Sequence, residues 1–210
     1  MDLRSSDVLR ILVAEGEAAT TVRRSRFYGH AAPVADAQVA LARLVAAVEG
    51  RHPDAGHVVY AWRGRTGEAR SSDDGEPQGT GGRPLLLALE RARLVDSAVA
   101  VARVFGGSLL GVAGLARAYG EAAALALEAA PAHVLGLWRP VSARAGWSDQ
   151  AALEAALVPA LTGLKRRFSA DGVEVSGEVE EARTPALAQA LADATAGRVR
   201  LRERGEPRWH

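Results

Sequence analysis

The chain of 210 residues contains no cysteine. That excludes a disulfide framework, a thiolate nucleophile and Cys-ligated zinc. Lysine is almost absent too: Lys165 is the only one among 26 basic residues. Arginine forks suit bidentate pairing with carboxylate or phosphate, but so uniform a bias fits genome composition or heat adaptation equally well. No segment has the uninterrupted apolar length of a membrane helix, and the opening MDLRSSDVLRILVAEGEAA lacks the apolar core of a signal peptide. The expectation is a soluble, cytoplasmic protein with no membrane partner. Neither sign of charge dominates, since the formal net charge is +1. Any basic patch must therefore be local.

What is present is organised around residues 98–119, AVAVARVFGGSLLGVAGLARAY. A run of β-formers meets Gly106 and Gly107, and a helical pattern carrying Gly111 and Gly114 follows. Such a junction leaves N–H groups unpaired at a positive helix end, where they can hold an anion; it also serves to bring a helix close against a sheet.

Before this stretch, residues 7–34 read as extended, with β-compatible pieces at 9–13, 19–22 and 27–33. Arg23, Arg24 and Arg26 lie between the last two, suited to a phosphate backbone or to a solvated strand end. Asp36 is expected to cap a helix with Leu41, Leu44, Val45 and Val48 inside, and Gly50 to stop it. Residues 57–62, HVVYAW, read as a buried strand. Residues 71–84, SSDDGEPQGTGGRP, read as an exposed loop. Its carboxylates Asp73, Asp74 and Glu76 do not have EF-hand spacing, and its glycines lack the Gly-Lys-Ser/Thr ending of a P-loop. No metal and no cofactor are expected. Pro84 opens a helix to about residue 93, and the helix after Gly111 places Leu115, Ala118, Ala122 and Leu125 on one stripe.

Pro131 ends that helix and sets the expected boundary between domains 1–130 and 131–210. Beyond it come a strand at 134–144, a helix capped by Ser148, strands at 167–170 and 173–179, a helix from Thr184-Pro185 to Gly197, and a strand at 198–202. The order β, α, β, β, α, β is the ferredoxin-like arrangement, so the chain reads as two α+β domains. Residues 203–210 read as a frayed tail.

Residues 55–61 (AGHVVYA), 72–84 (SDDGEPQGTGGRP) and 103–119 (RVFGGSLLGVAGLARAY), with the entry Ser25-Arg26-Phe27, resemble the signature of the Impact family. Val104 replaces the usual tyrosine, removing one stacking surface; Ala113 stands for a usual glycine and Gly81 for a usual alanine. The resemblance implies an N-terminal fold like the second domain of ribosomal protein S5 and a C-terminal ferredoxin-like domain similar to one of elongation factor G. It also implies a role in regulating translation, by binding RNA or the ribosome or by binding a regulatory protein.

If the two glycine-rich segments converge, Asp73, Asp74 and Glu76 face Arg103, Arg117 and the amides after Gly107. Three uses are open. In a structural clasp, Asp74 or Glu76 accepts from those amides. In a nucleic-acid site, Arg26, Arg83, Arg103 and Arg117 follow phosphates with the backbone of Gly106, Gly107, Gly111 and Gly114, while Phe105 or Tyr119 stacks a base. In a small hydrolase or phosphotransferase, His57 works with Asp73 or Asp74, and Thr80 or Ser72 supplies a hydroxyl. A protein-binding face is expected on the ferredoxin-like sheet, with Val173, Val175 and Val179 or their neighbours turned outwards. The sequence leaves the oligomeric state open.

Overall fold

A computed structural model describes residues 9–210; the start of the extended stretch at Asp7 lies outside them. The fold is α+β, and the chain divides into two compact units between Val134 and Leu135.

The first unit is built on strand β6 (Ser97–Val104), whose first seven residues are buried. Its Ala-Val alternation explains how one strand serves two cores. Val99 and Val101 pack with Phe27, Leu85, Leu115 and Tyr119, whereas Ala98 joins Leu41 and Trp62, and Ala100 and Ala102 join Val48 and Val58. Large residues on one side and alanine on the other thus admit helices on both faces of the sheet. The remaining strands are β2 (Gly16–Val22), β3 (Ser25–Pro33), β4 (His57–Arg63) and β5 (Ala69–Ser72), in the antiparallel order β2-β3-β6-β4-β5. Helices α2 (Gly82–Arg91) and α3 (Gly111–Ala129) cover the valine side, and α1 (Ala40–Arg51) covers the alanine side. Two short strands, β1 (Leu9–Leu12) and β7 (Ala132–Leu135), pair separately.

Four local expectations change. Helix α1 starts four residues after Asp36, whose carboxylate instead accepts from the Gln38 amide at 2.8 Å within the preceding turn. It also runs through Gly50 and stops at Arg51, because Pro53 pushes His52 out of the helical region to φ −127°, ψ 65°. The loop before α2 is not exposed throughout: Glu76, Thr80, Gly81 and Gly82 are buried. On α3, Leu125 faces solvent, and the buried stripe continues through Ala122, Ala123, Ala126 and Leu127.

The second unit contains β8 (Leu137–Gly146), α4 (Gln150–Leu157), β9 (Thr162–Ser169), β10 (Gly172–Glu180), α5 (Thr184–Ala194), β11 (Arg202–Glu203) and β12 (Arg208–Trp209). Its sheet runs β11-β8-β10-β9, with every neighbouring pair antiparallel and β12 also on β8. That is the split βαβ order. Val173, Val175 and Val179 are fully buried against Leu153, Leu157, Leu187 and Leu191 of α4 and α5, so of the two sets expected to be able to face outwards it is not the valines that do. Alternation turns Glu174, Ser176 and Glu178 to the helix-free side instead. Ser148 lies in a single 3₁₀ turn and does not cap α4. The last residues are not frayed: Trp209 aligns with Leu137, and His210 and Gly136 exchange backbone hydrogen bonds at 2.9 Å.

Candidate functional site

The loop between β5 and α2 folds around its own carboxylates. Asp73 Oδ2 accepts from the Gly79 amide at 2.8 Å, and Oδ1 accepts from the Gly81 and Gly82 amides at 2.8 Å each. Those last two donors open α2, so Asp73 satisfies N–H groups that the helix itself leaves unpaired. Burial pushes the Asp73 carboxyl upward, but the three amides together outweigh it and hold the group below the ordinary carboxylate range. Asp74, at φ +44°, accepts from the Val58 amide at 2.6 Å through its carboxylate, and His57 Nδ1 lies 2.5 Å from its carbonyl oxygen. Thr80 is buried and donates to the Pro77 carbonyl at 2.6 Å.

Glu76 turns into the protein. Its Oε1 accepts from Arg103 Nη1 at 2.7 Å and from the Tyr119 hydroxyl at 2.6 Å, joining the loop, β6 and α3 in one buried contact. Burial raises the Tyr119 phenol well above its ordinary value, and the neighbouring Glu76 carboxylate raises it further. Tyr119 is fully buried, edge-on to Phe27 with ring centres 5.1 Å apart, so it offers no face for a base. The two glycine-rich segments therefore meet, but through Glu76, Arg103 and Tyr119. The expected hydrogen bonds from the amides after Gly107 to Asp74 or Glu76 do not form.

A second cluster lies on the outer side of this corner. Gly106 sits beneath the β2–β3 hairpin tip, its amide donating to Ser25 Oγ at 3.1 Å. A Cβ there would lie 2.0 Å from the Arg24 carbonyl carbon, so only glycine allows this approach. The tip itself has Arg23 at φ +46° and Arg24 at φ +69°. Two-residue hairpin turns with both φ values positive ordinarily use Asn-Gly. Beside the tip, Phe105 is 54 % exposed and stacks over the Arg103 guanidinium at 5.5 Å. Leu109 and Val112 are also exposed, and α3 begins there without a side-chain cap, its first residue Gly111 at φ +68°. Arg23 and Arg117 line one shallow cavity of about 290 Å³ together with Gly114 and Glu121.

Of the residues singled out from the sequence, His57, Asp73, Asp74, Glu76, Thr80, Arg103 and Tyr119 form the inner clasp, and Gly106, Gly107, Gly111, Gly114 and Arg117 belong to the outer corner. Arg26 lies over the Tyr28 ring at 6.0 Å, and Arg83 stands exposed on α2. The sequence shows Arg23 and Arg24 as charge in a four-residue gap between β-compatible runs; the structure extends β3 back to Ser25 and so leaves the two arginines as the turn. Among the described residues no group of three or more His, Asp or Glu side chains is arranged to hold a metal ion. No described helix is long and apolar enough to cross a membrane.

Residues 23–127 match the Impact N-terminal domain. The chain is 48 % identical over 124 residues to an IMPACT family member in the pol 5′ region of Thermus thermophilus, a match covering 59 % of this chain and 66 % of that one. It is 31 % identical over 192 residues to the IMPACT family member YvyE of Bacillus subtilis, covering 90 % of this chain and 87 % of the relative. A solved crystal structure of a hypothetical protein aligns over 95 % of this chain and 98 % of its own, with a TM-score of 0.58 and 26 % identity. The matched domain spans the clasp, the hairpin tip and most of α3, and the chain belongs to the IMPACT family.

Proposed function

We propose that this IMPACT-family chain binds RNA, as a ribosome-associated regulator of translation in the cytoplasm, through the outer corner of its first unit. The observation that carries the reading is the hairpin tip. Arg23 and Arg24 both occupy left-handed backbone, at roughly 1–2 kcal/mol per residue for non-glycine types. They occupy it beside an exposed Phe105 and an uncapped helix start. Arginine forks grip phosphates, the aromatic face stacks a base, and the helix end favours negative charge. Use of the acidic loop for hydrolysis or phosphotransfer has less support, because Asp73, Asp74 and Glu76 are already committed to amides, an arginine and a tyrosine.

The test replaces the tip by the favoured turn, Arg23→Asn with Arg24→Gly. Stability is expected to rise, because the new residues suit the backbone, while affinity for a labelled single-stranded RNA falls. The dependence of log affinity on log salt is expected to flatten by about 1.4, two contacts at roughly 0.7 each. Unchanged RNA affinity and salt slope would remove the corner from the reading. Lysate partners that persist after nuclease treatment would favour binding of a regulatory protein, for which Leu109 and Val112 provide exposed apolar surface.

A further inference from the structure

The helix-free face of the second unit's sheet carries its cations in register. Across β9, β10 and β8, Arg167, Glu174 and Arg144 form one row. The next row crosses all four strands as Lys165, Ser176, Ser142 and Arg202. Arg204 follows Arg202 on the same edge and reaches Glu174 Oε1 at 3.2 Å. Rows on one face are about 7 Å apart, and β9 and β11, the two edges, are about 14 Å apart. Lys165 and Arg167 thus line one rim and Arg202 and Arg204 the other. Between them is a depression of about 390 Å³, floored by Ser176 and Glu174.

This concentration is out of proportion to a chain whose net charge is only +1. The Arg144, Arg167 and Arg204 side chains are 60 %, 83 % and 54 % exposed, whereas Ser142 between the rims is buried and Ser176 half-buried. The chemistry of the face separates a polyanion from a protein partner. Protein interfaces need a desolvated apolar centre. The exposed aromatics of this unit do not supply one here: Phe168 aligns with Val173, which puts it on the helix-covered side, and Trp147 stacks parallel to it at 6.4 Å. Trp138 and Pro140 do share the open face, but they are half-buried at its far end, where Arg208 and Glu178 align with them. A phosphodiester backbone asks for cations on two rims and hydroxyl or amide donors between, which is what the face offers.

We infer that the open face of this sheet is a second nucleic-acid surface, a trough that holds a single strand by its phosphodiester backbone between the Lys165–Arg167 rim and the Arg202–Arg204 rim. It deepens the RNA reading above and rests on it. Contact by backbone makes the trough indifferent to base sequence. Glu174 sets its strength, because it holds Arg167 and Arg204 inward while opposing the phosphate.

The experiment uses the full chain and a labelled oligouridylate of about 16 nucleotides, with a deoxy strand of the same length as a second probe. Binding is measured as a function of salt. Substitution of three exposed cations by Lys165→Gln, Arg167→Gln and Arg202→Gln is expected to flatten the log–log salt slope by about 2, at roughly 0.7 per lost contact, and to weaken both probes together. Glu174→Gln is expected to tighten binding several-fold, which a merely misfolded variant would not do. A triple variant that binds like the parent, while the hairpin-tip variant binds weakly, would overturn the trough and leave the RNA reading standing. A parent chain with no salt-dependent binding to either probe would overturn both.

Discussion

Glu76 Oε1 and Arg103 Nη1, 27 residues apart in the chain, meet at 2.7 Å with their side chains only 4 % and 9 % exposed. Arg103 Nε is buried with no hydrogen-bond partner among the described residues, and the rings of Phe27 and Phe105 flank the guanidinium at 6.0 and 5.5 Å. The pair is therefore already short of one bond, and removal of the arginine's only ion-pair partner among the described residues would strand it. Glu76→Ala is expected to destabilise the first unit by about 3–5 kcal/mol, and Tyr119→Phe by about 1–2 kcal/mol. Glu76→Leu with Arg103→Met should recover much of the loss, because it removes both charges together. Chemical unfolding of the three variants checks this; a double variant no more stable than Glu76→Ala would show that shape, and not charge pairing, sets the cost.

Asp73 acts on the same loop from its other side. Its folded-state value lies below the unfolded value of 3.8, so the stabilisation it gives is present above about pH 4 and is lost as pH falls through that depressed value. Asp73→Ala is expected to cost about 2 kcal/mol at neutral pH, since the Gly79, Gly81 and Gly82 amides lose their acceptor. The difference in unfolding free energy between parent and variant should shrink on acidification. A difference that stays constant to about pH 2 would mean that the carboxylate charge is not what the amides use.

The contrast between these carboxylates shows where sequence stops being informative. Strands β3, β4, β6 and β10 were readable because alternation and β-branched residues record burial directly, and so was the βαββαβ order of the second unit. Chain order made the convergence of the two glycine-rich segments a condition to be tested, and the structure meets it through Glu76, Arg103 and Tyr119. Which carboxylate takes which donor was not, because Asp73, Asp74 and Glu76 are equivalent until the loop closes: Asp73 turns to the helix start, Asp74 to β4, and Glu76 inward. The facing of β10 was left open between its two sets: VEVSGEV marks a strand with one side covered, and the packing of α4 and α5 on Val173, Val175 and Val179 shows which side that is.

Gly106 and Gly107 look alike in sequence but carry different constraints. At Gly106 the limit is space: an added Cβ would lie 2.0–2.3 Å from the backbone of Arg24 and Ser25, which has no flexible end to yield. At Gly107 nothing lies within 4 Å of an added Cβ, and the limit is the left-handed φ of +84°. Gly106→Ala is expected to cost about 3 kcal/mol and to shift the amide signals of residues 23–25, and Gly107→Ala about 1 kcal/mol with the hairpin tip undisturbed. Thermal unfolding and amide spectra read both. Equal costs would mean that the hairpin moves aside freely and does not rest on Gly106.

His30 and His52 face each other with their Nε2 atoms 2.8 Å apart, and Tyr28 stacks on the His52 ring at 4.2 Å. Such a bond needs one neutral ring as acceptor, so a doubly protonated pair cannot keep it. Burial lowers both imidazoles from 6.5. For His30, Glu17 opposes the shift while His52 and Arg51 add to it; for His52, Arg51 adds and Glu17 opposes. Glu17 is itself engaged by Arg51, which weakens it as a counter-charge. With folded values below unfolded ones, the unfolded chain binds more protons in this window, so stability is full above about pH 6.5 and declines as the solution is acidified. The double variant His30→Gln with His52→Phe keeps an aromatic ring against Tyr28 but removes both titrations. Its unfolding free energy is expected to change less than the parent's between about pH 7 and pH 5, and parallel profiles would mean that acid sensitivity arises elsewhere.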